Sequence, residues 1–136
     1  MADFSKRPAF SPCPCYKDVK AALTWLVDAF GFEPHMIIAD ADDHIMHAEL
    51  SYGDGIIMVG SEWTDDHKSP ANLGGKTSQS IHVHVIGDID AHCERARKAG
   101  AKIDQEPETQ FYGDRTYRAR DPEGQIWTFS QTVEAM

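Results

Sequence analysis

An α+β domain made of two strand–helix–strands modules is the fold class this sequence predicts, and three observations predict it. Two amphipathic helical stretches, Lys17–Phe32 and Asp88–Ala99, each have an aspartate placed to cap the start and a glycine placed to end the helix. Short runs rich in β-formers lie between and after them, and two of these runs follow the turn signals Tyr52-Gly53-Asp54-Gly55 and Asp121-Pro122-Glu123-Gly124. Asp18 with Asp88, and Gly55 with Gly124, reveal an internal repeat of about 70 residues, too long for a solenoid and suited to two supersecondary modules sharing one core.

In the first helix Val19, Ala22, Leu23, Leu26, Val27 and Phe30 recur at three-four spacing, with Asp18 as cap and Gly31 as left-handed terminator. The second has Ile89, Cys93, Ala96 and Ala99 on one side and closes at Gly100. Strands are expected over His35–Ala39, His44–Tyr52, Ile56–Gly60, Ser80–Ile86, Thr116–Arg120 and Ile126–Gln131. The whole chain, 1–136, reads as one domain: a first module over about 8–61, a polar, turn-rich linker over about 62–79, and a second module over about 80–132.

A chain of 136 residues with 41% hydrophobic and 26% charged residues forms one core, and it lacks an apolar run near the ~18 residues a membrane crossing needs. The N-terminal stretch has no apolar segment of about 7–15 residues, so a cytoplasmic location is expected. Cys13, Cys15 and Cys93 are expected as free thiols. A net charge of −9 repels a phosphate backbone and argues against nucleic-acid partners. The same acidity would attract a cationic small molecule, solubility being the plainer reading.

Several residues have the chemistry of a site. In Ile81-His82-Val83-His84-Val85, period two puts His82 and His84 on one sheet face, where they either exchange protons and hydrogen bonds with a ligand or serve as structural polar groups. His47 and Glu49 also share a face, making a candidate proton-transfer pair or simply a solvated strand surface. Tyr112-Gly113-Asp114-Arg115 presents an arginine on a loop, fit to grip an anion or to pair with an internal carboxylate. Cys13 and Cys15 point the same way from an extended strand and read as small side chains lining a cavity, two sulfurs alone being no zinc site. Trp25, Phe30, Trp127 and Phe129 read first as core.

Taken in order, CYKDVKAALTWLVDAFGFE, HAELSYGDGIIMVGS, HVHVIGDIDAHCERARKAGA and YGDRTYRARDPEGQIWTFSQ resemble the glyoxalase/bleomycin resistance protein/dioxygenase (vicinal oxygen chelate) superfamily, and within it the PhnB-like glyoxalase-related group. The resemblance implies two βαβββ modules forming a cupped eight-stranded mixed sheet with helices outside, and a homodimer. It also implies a divalent metal held by His, Gln or Glu from the first and last strand of each module. Counting from the caps and turns puts Ser11, Val59, Ser80 or Ile81, and Thr128 at those positions, with His82 next door. No cofactor is therefore expected, a divalent metal being the less favoured alternative. The function expected is small-molecule binding in the cup, involving Cys13, Cys15, His82, His84, Tyr112, Arg115 and Thr128. The alternative is a lyase or isomerase acting on a small oxygenated metabolite, with His47 and Glu49 as its catalytic pair.

Overall fold

In the computed structural model, which describes residues 7–134, both modules are present and follow the same path. The first runs β1 (Cys15–Tyr16), α1 (Val19–Phe30), β2 (Glu33–Ala39), β3 (Ile45–Tyr52), β4 (Gly55–Met58) and β5 (Gly60–Ser61). The second runs β6 (Ser80–His84), α2 (Ile89–Lys98), β7 (Lys102–Thr109), β8 (Asp114–Arg120) and β9 (Ile126–Thr132). The fold is α+β, as expected.

Both helices start where the sequence says. The Asp18 carboxylate accepts the Ala21 N–H at 3.1 Å, and the Asp88 carboxylate accepts that of Ala91 at 3.3 Å. Gly31, at φ 77, ends α1 in a conformation that a side chain would strain. The last turn of α2 carries Arg95, Arg97 and Lys98, which complement the helix dipole.

Module 2 forms one four-stranded sheet in the order β6-β9-β8-β7, with β6 and β9 parallel. Module 1 repeats this order, but in pieces: β2-β3-β4 form one antiparallel sheet and β1-β5 a parallel pair. Only Val59 separates β4 from β5, and its N–H still bonds the Ala48 carbonyl at 2.9 Å. The expected run Ile56–Gly60 is thus a strand broken at one residue.

The single eight-stranded sheet expected from the resemblance is not seen as such: no ladder joins the two halves among the described residues. Proline explains the shortness of β1. The carbonyls of Pro12 and Pro14 accept from Met58 and Gly60 at 2.9 and 3.1 Å, but neither proline has an N–H to return the bond. Strand β7 escaped the sequence reading because half of KIDQEPET is charged and it contains Pro107, a composition of an exposed edge strand. Strand β6 ends at His84, before the expected Ile86, because Gly87 turns the chain at φ 93.

The halves are joined by one core under the helices. Phe30 at the end of α1 meets Phe129 at 4.7 Å and Trp127 at 5.3 Å between ring centroids. His92 on α2 joins this cluster: its Nε2–H donates to the Phe30 carbonyl at 2.9 Å and its Nδ1 accepts from the Tyr117 hydroxyl at 2.5 Å. A second tie is polar. The turn of module 2 docks on the start of module 1, where the buried Asp121 carboxylate accepts from the Tyr16 hydroxyl at 2.5 Å and from the Trp127 indole at 3.0 Å. Glu123 caps the amides of Lys17 and Asp18 and accepts from the Ser69 hydroxyl, which fixes the connecting segment to both modules.

Candidate functional site

Strand alternation gives each sheet a helix-covered face and an open face. Ala48, Leu50, Ile57, Val59, Tyr117, Ala119, Trp127 and Phe129 are buried under the helices, so their neighbours in sequence form the open faces. Cross-strand register then places Met36, Glu49 and Met58 in one row of module 1. Cys13 extends this row, because the Met58 N–H bonds the carbonyl of the preceding Pro12. The matching row of module 2 is Gln105, Arg118, Thr128 and His82.

In module 1 the centre of the row is a buried carboxylate. Glu49 is 2% exposed, and its Oε2 accepts from the Arg7 guanidinium at 2.8 Å and meets His47 Nε2 at 2.5 Å. Its Oε1 has no hydrogen-bond partner among the described residues, with His35 Nε2 at 3.9 Å. Burial pushes the Glu49 carboxyl up, but the bonds from His47 and Arg7 and the Arg7 charge outweigh it, so its pKa lies below the ordinary glutamate value. With the carboxylate charged, His47 presents its Nε2–H to it and leaves Nδ1 as the basic nitrogen.

In module 2 a serine links the two histidines. Ser130, fully buried, has its hydroxyl 2.7 Å from His82 Nε2 and 3.2 Å from His84 Nδ1, and the two rings lie 5.2 Å apart. The serine has one proton, so it donates to one imidazole and accepts from the other. Burial, and then the nearby His84, lower the pKa of His82. Arg118 Nε approaches the Thr128 hydroxyl at 3.4 Å.

Of the residues singled out from sequence, Cys13, Cys15, His47, Glu49, His82, His84 and Thr128 lie in open-face rows. Cys13 and Cys15 line one cavity together with His67. Cys15 is nevertheless buried, its thiol held at 3.7 Å from the His67 carbonyl and its pKa raised, chiefly by burial, which makes it a poor nucleophile. Arg115 lies elsewhere. It alternates with Tyr117 and Ala119 on the helix-covered side, where its guanidinium pairs with Asp90 of α2 at 3.1 Å and with the Thr109 hydroxyl at 3.1 Å. Tyr112 sits beside the fully exposed Phe111 at the tip of the β7–β8 hairpin, away from these rows.

Arg7, His35, Arg118 and Ser130 are the site residues that sequence reading passed over. Ser130 and Arg118 follow from period two once Thr128 and the register are known. His35 sits at a register shift between Pro34 and Met36, which breaks the parity on which such counting relies. Arg7 has no local signal, because it meets Glu49 from 42 positions away.

A cavity of about 220 Å³ opens between the edges of β4 and β6, walled by Leu50, Ile57, Ile81 and Val83 with His82 and His84 at its rim. Its apolar walls and few polar groups suit a small organic molecule.

The sequence profile of the Glyoxalase/Bleomycin resistance protein/Dioxygenase superfamily matches residues 15–129, and the chain belongs to this superfamily. It is 32% identical over 130 residues to an uncharacterised protein of Mycobacterium bovis, covering 93% of this chain and 84% of that one. A relative in Mycobacterium tuberculosis, also uncharacterised, is likewise 32% identical, with 93% and 75% covered. Among solved structures the chain is similar to TioX from Micromonospora sp. ML1, with TM-score 0.72, 35% identity and 92% and 100% of the two chains covered. It shares its fold with the fosfomycin resistance protein FosX of Listeria monocytogenes, at TM-score 0.65, 13% identity and 91% and 92% coverage.

Register shows which side chains at the strand positions counted from caps and turns face the open side. Val59 is 3% exposed and faces the core, so Met58 takes its place on the open face. Ile81 pairs with Trp127 and packs against the core, so of Ser80 and Ile81 only Ser80 shares the open face with His82, which lies opposite Thr128. Cys13 lies opposite Met58 as His82 lies opposite Thr128. A thiol, a thioether, an imidazole and a hydroxyl lack the carboxylates that a hard divalent cation takes, and one thiol with one imidazole falls short of the three or four strong ligands that zinc needs. The one cluster of His, Cys, Asp or Glu side chains close enough to hold an ion among the described residues is Asp40, Asp42 and His44, exposed in the β2–β3 turn. Asp40 is used there to accept the amides of Asp42 and His44.

Proposed function

We propose that this chain is a cytoplasmic, homodimeric, small-molecule-binding member of the superfamily, of the PhnB-like group, that works without the family's divalent cation. The observation that carries this reading is the donor set Cys13, Met58, His82 and Thr128, in which three of four positions have lost their imidazole or carboxylate. The cavity between β4 and β6 supports it by its lining, apolar walls with a few polar groups, which is the make-up of small-molecule sites. No helix among the described residues is long and apolar enough to cross a membrane. The test is thermal unfolding of chelator-treated protein against a panel of small oxygenated organic molecules. A true ligand at a hundredfold excess over its Kd adds about 2.7 kcal/mol without added metal. If stabilisation appears only after a divalent cation is restored, the reading fails.

The geometry of His47 and Glu49 favours a second reading, a lyase or isomerase. In it, Nδ1 of His47 takes a proton from a carbon next to a carbonyl, the C–H electron pair passes to the carbonyl oxygen as an enolate, and the imidazolium, stabilised by the carboxylate at 2.5 Å, returns the proton to the neighbouring carbon. Arg115, turned to the other face, plays no part in it. This reading requires turnover that His47→Ala abolishes while the circular dichroism spectrum is unchanged.

A further inference from the structure

A carboxylate that is almost wholly buried and ionised normally spends all its lone pairs on donors. Glu49 does not. Arg7 and His47 both converge on Oε2, and Oε1 has no hydrogen-bond partner among the described residues. Beside it lies His35 Nε2 at 3.9 Å, beyond hydrogen-bond distance, and the cross-strand neighbours of Glu49 in the open-face row are the thioethers Met36 and Met58. Arg7 itself belongs to no helix or strand. Its side chain is 34% exposed against 3% for that of Glu49, and Phe10, three residues on, lies open to solvent. One partner of this ion pair is therefore fixed in a sheet and the other hangs on a segment without regular structure.

We propose that Glu49 is the receptor for a cationic group on the ligand, a guanidinium or a primary ammonium, and that Arg7 is a tethered stand-in which such a ligand displaces. The inference rests on the reading that the protein binds a small molecule, and it places a charged group of that molecule on the open face of module 1, at residues that do not line the cavity between β4 and β6. A planar guanidinium from solution is able to engage both oxygens in bidentate fashion, whereas Arg7 reaches only Oε2. That difference gives an incoming ligand one charge-assisted hydrogen bond more than the stand-in. The net charge of −9 favours the approach of a cation from any side.

The probe is agmatine, which carries both a guanidinium and an ammonium. In the wild-type protein, agmatine titrated to saturation is expected to move the Arg7 Nε–H resonance to the position of a free arginine. In Arg7→Ala, agmatine is expected to bind about tenfold more tightly than to wild type by calorimetry, the worth of one such bond no longer contested. Glu49→Gln in the Arg7→Ala background is expected to lose that gain. The proposal is overturned if the Arg7 resonance does not respond in wild type, or if the double variant binds agmatine as well as Arg7→Ala does. The wild-type titration decides even if a variant fails to fold. A purified protein holding one metal ion per chain would sink the metal-free reading, yet leave this exchange to be scored on its own.

Discussion

Under the helices, module 1 sets Ala48, Leu50 and Ile57 where module 2 sets Tyr117, Ala119 and Trp127, and all six are buried. On the open side of the same strands, the same register sets Glu49 against Arg118, Met58 against Thr128 and Cys13 against His82. The covered faces differ in size but agree in character, because both must fill one close-packed core. The open faces differ in charge and in chemistry. Glu49 is buried and paired, while Arg118, its counterpart, is exposed. Duplication has thus kept the packing face and released the other for separate uses, an acid in one half and a histidine–serine pair in the other.

The largest expected effect lies on the covered side. Trp127→Ala removes a fully buried indole that touches Phe30 and Phe32 and donates to Asp121, and should cost about 3–5 kcal/mol in denaturant unfolding. Next comes the difference between the two open faces. Glu49→Ala strands Arg7 and His47 and should cost about 1–3 kcal/mol, whereas Arg118→Ala should stay within about 0.5 kcal/mol. Equal losses at these two positions would break the contrast drawn between the modules.

A smaller effect is expected from pH. Burial, first of all, lowers the pKa of His92 below its ordinary 6.5, so the folded state holds fewer protons there than the unfolded one. Its contribution is therefore complete above pH 6.5 and is lost as pH falls through the depressed folded value. Unfolding free energies measured over this range should fall more steeply in wild type than in His92→Gln. Parallel slopes would show that His92 is not held neutral between Phe30 and Tyr117.

Much of the fold was legible because its signals are local. Asp18, Asp88 and Gly31 mark helix ends by their own side-chain or backbone chemistry, and period two sorted His47 with Glu49 and His82 with His84. What failed depends on pairing between distant segments. Counting back from the Asp18 cap reached Ser11, whereas the bond from the Met58 N–H to the Pro12 carbonyl sets Cys13 opposite Met58, a pairing across more than forty positions that a local count does not carry. Val59 was placed on the wrong face because the count ran from a turn glycine, whereas the face is set by the pairing of Met58 with Glu49. For Arg115 the sequence left an anion grip and an internal ion pair both open, and the choice is made by α2, which brings Asp90 to it from 25 positions away. Charge partners at such separation leave no trace in a local pattern.

The claim on which most depends is that Cys13, Met58, His82 and Thr128 have given up the family's cation. Elemental analysis of protein purified from cells grown with added zinc, manganese, nickel and iron tests it most directly. The account predicts metal far below one ion per chain for all four. One equivalent of any of them, lost on changing His82 to alanine, would contradict it.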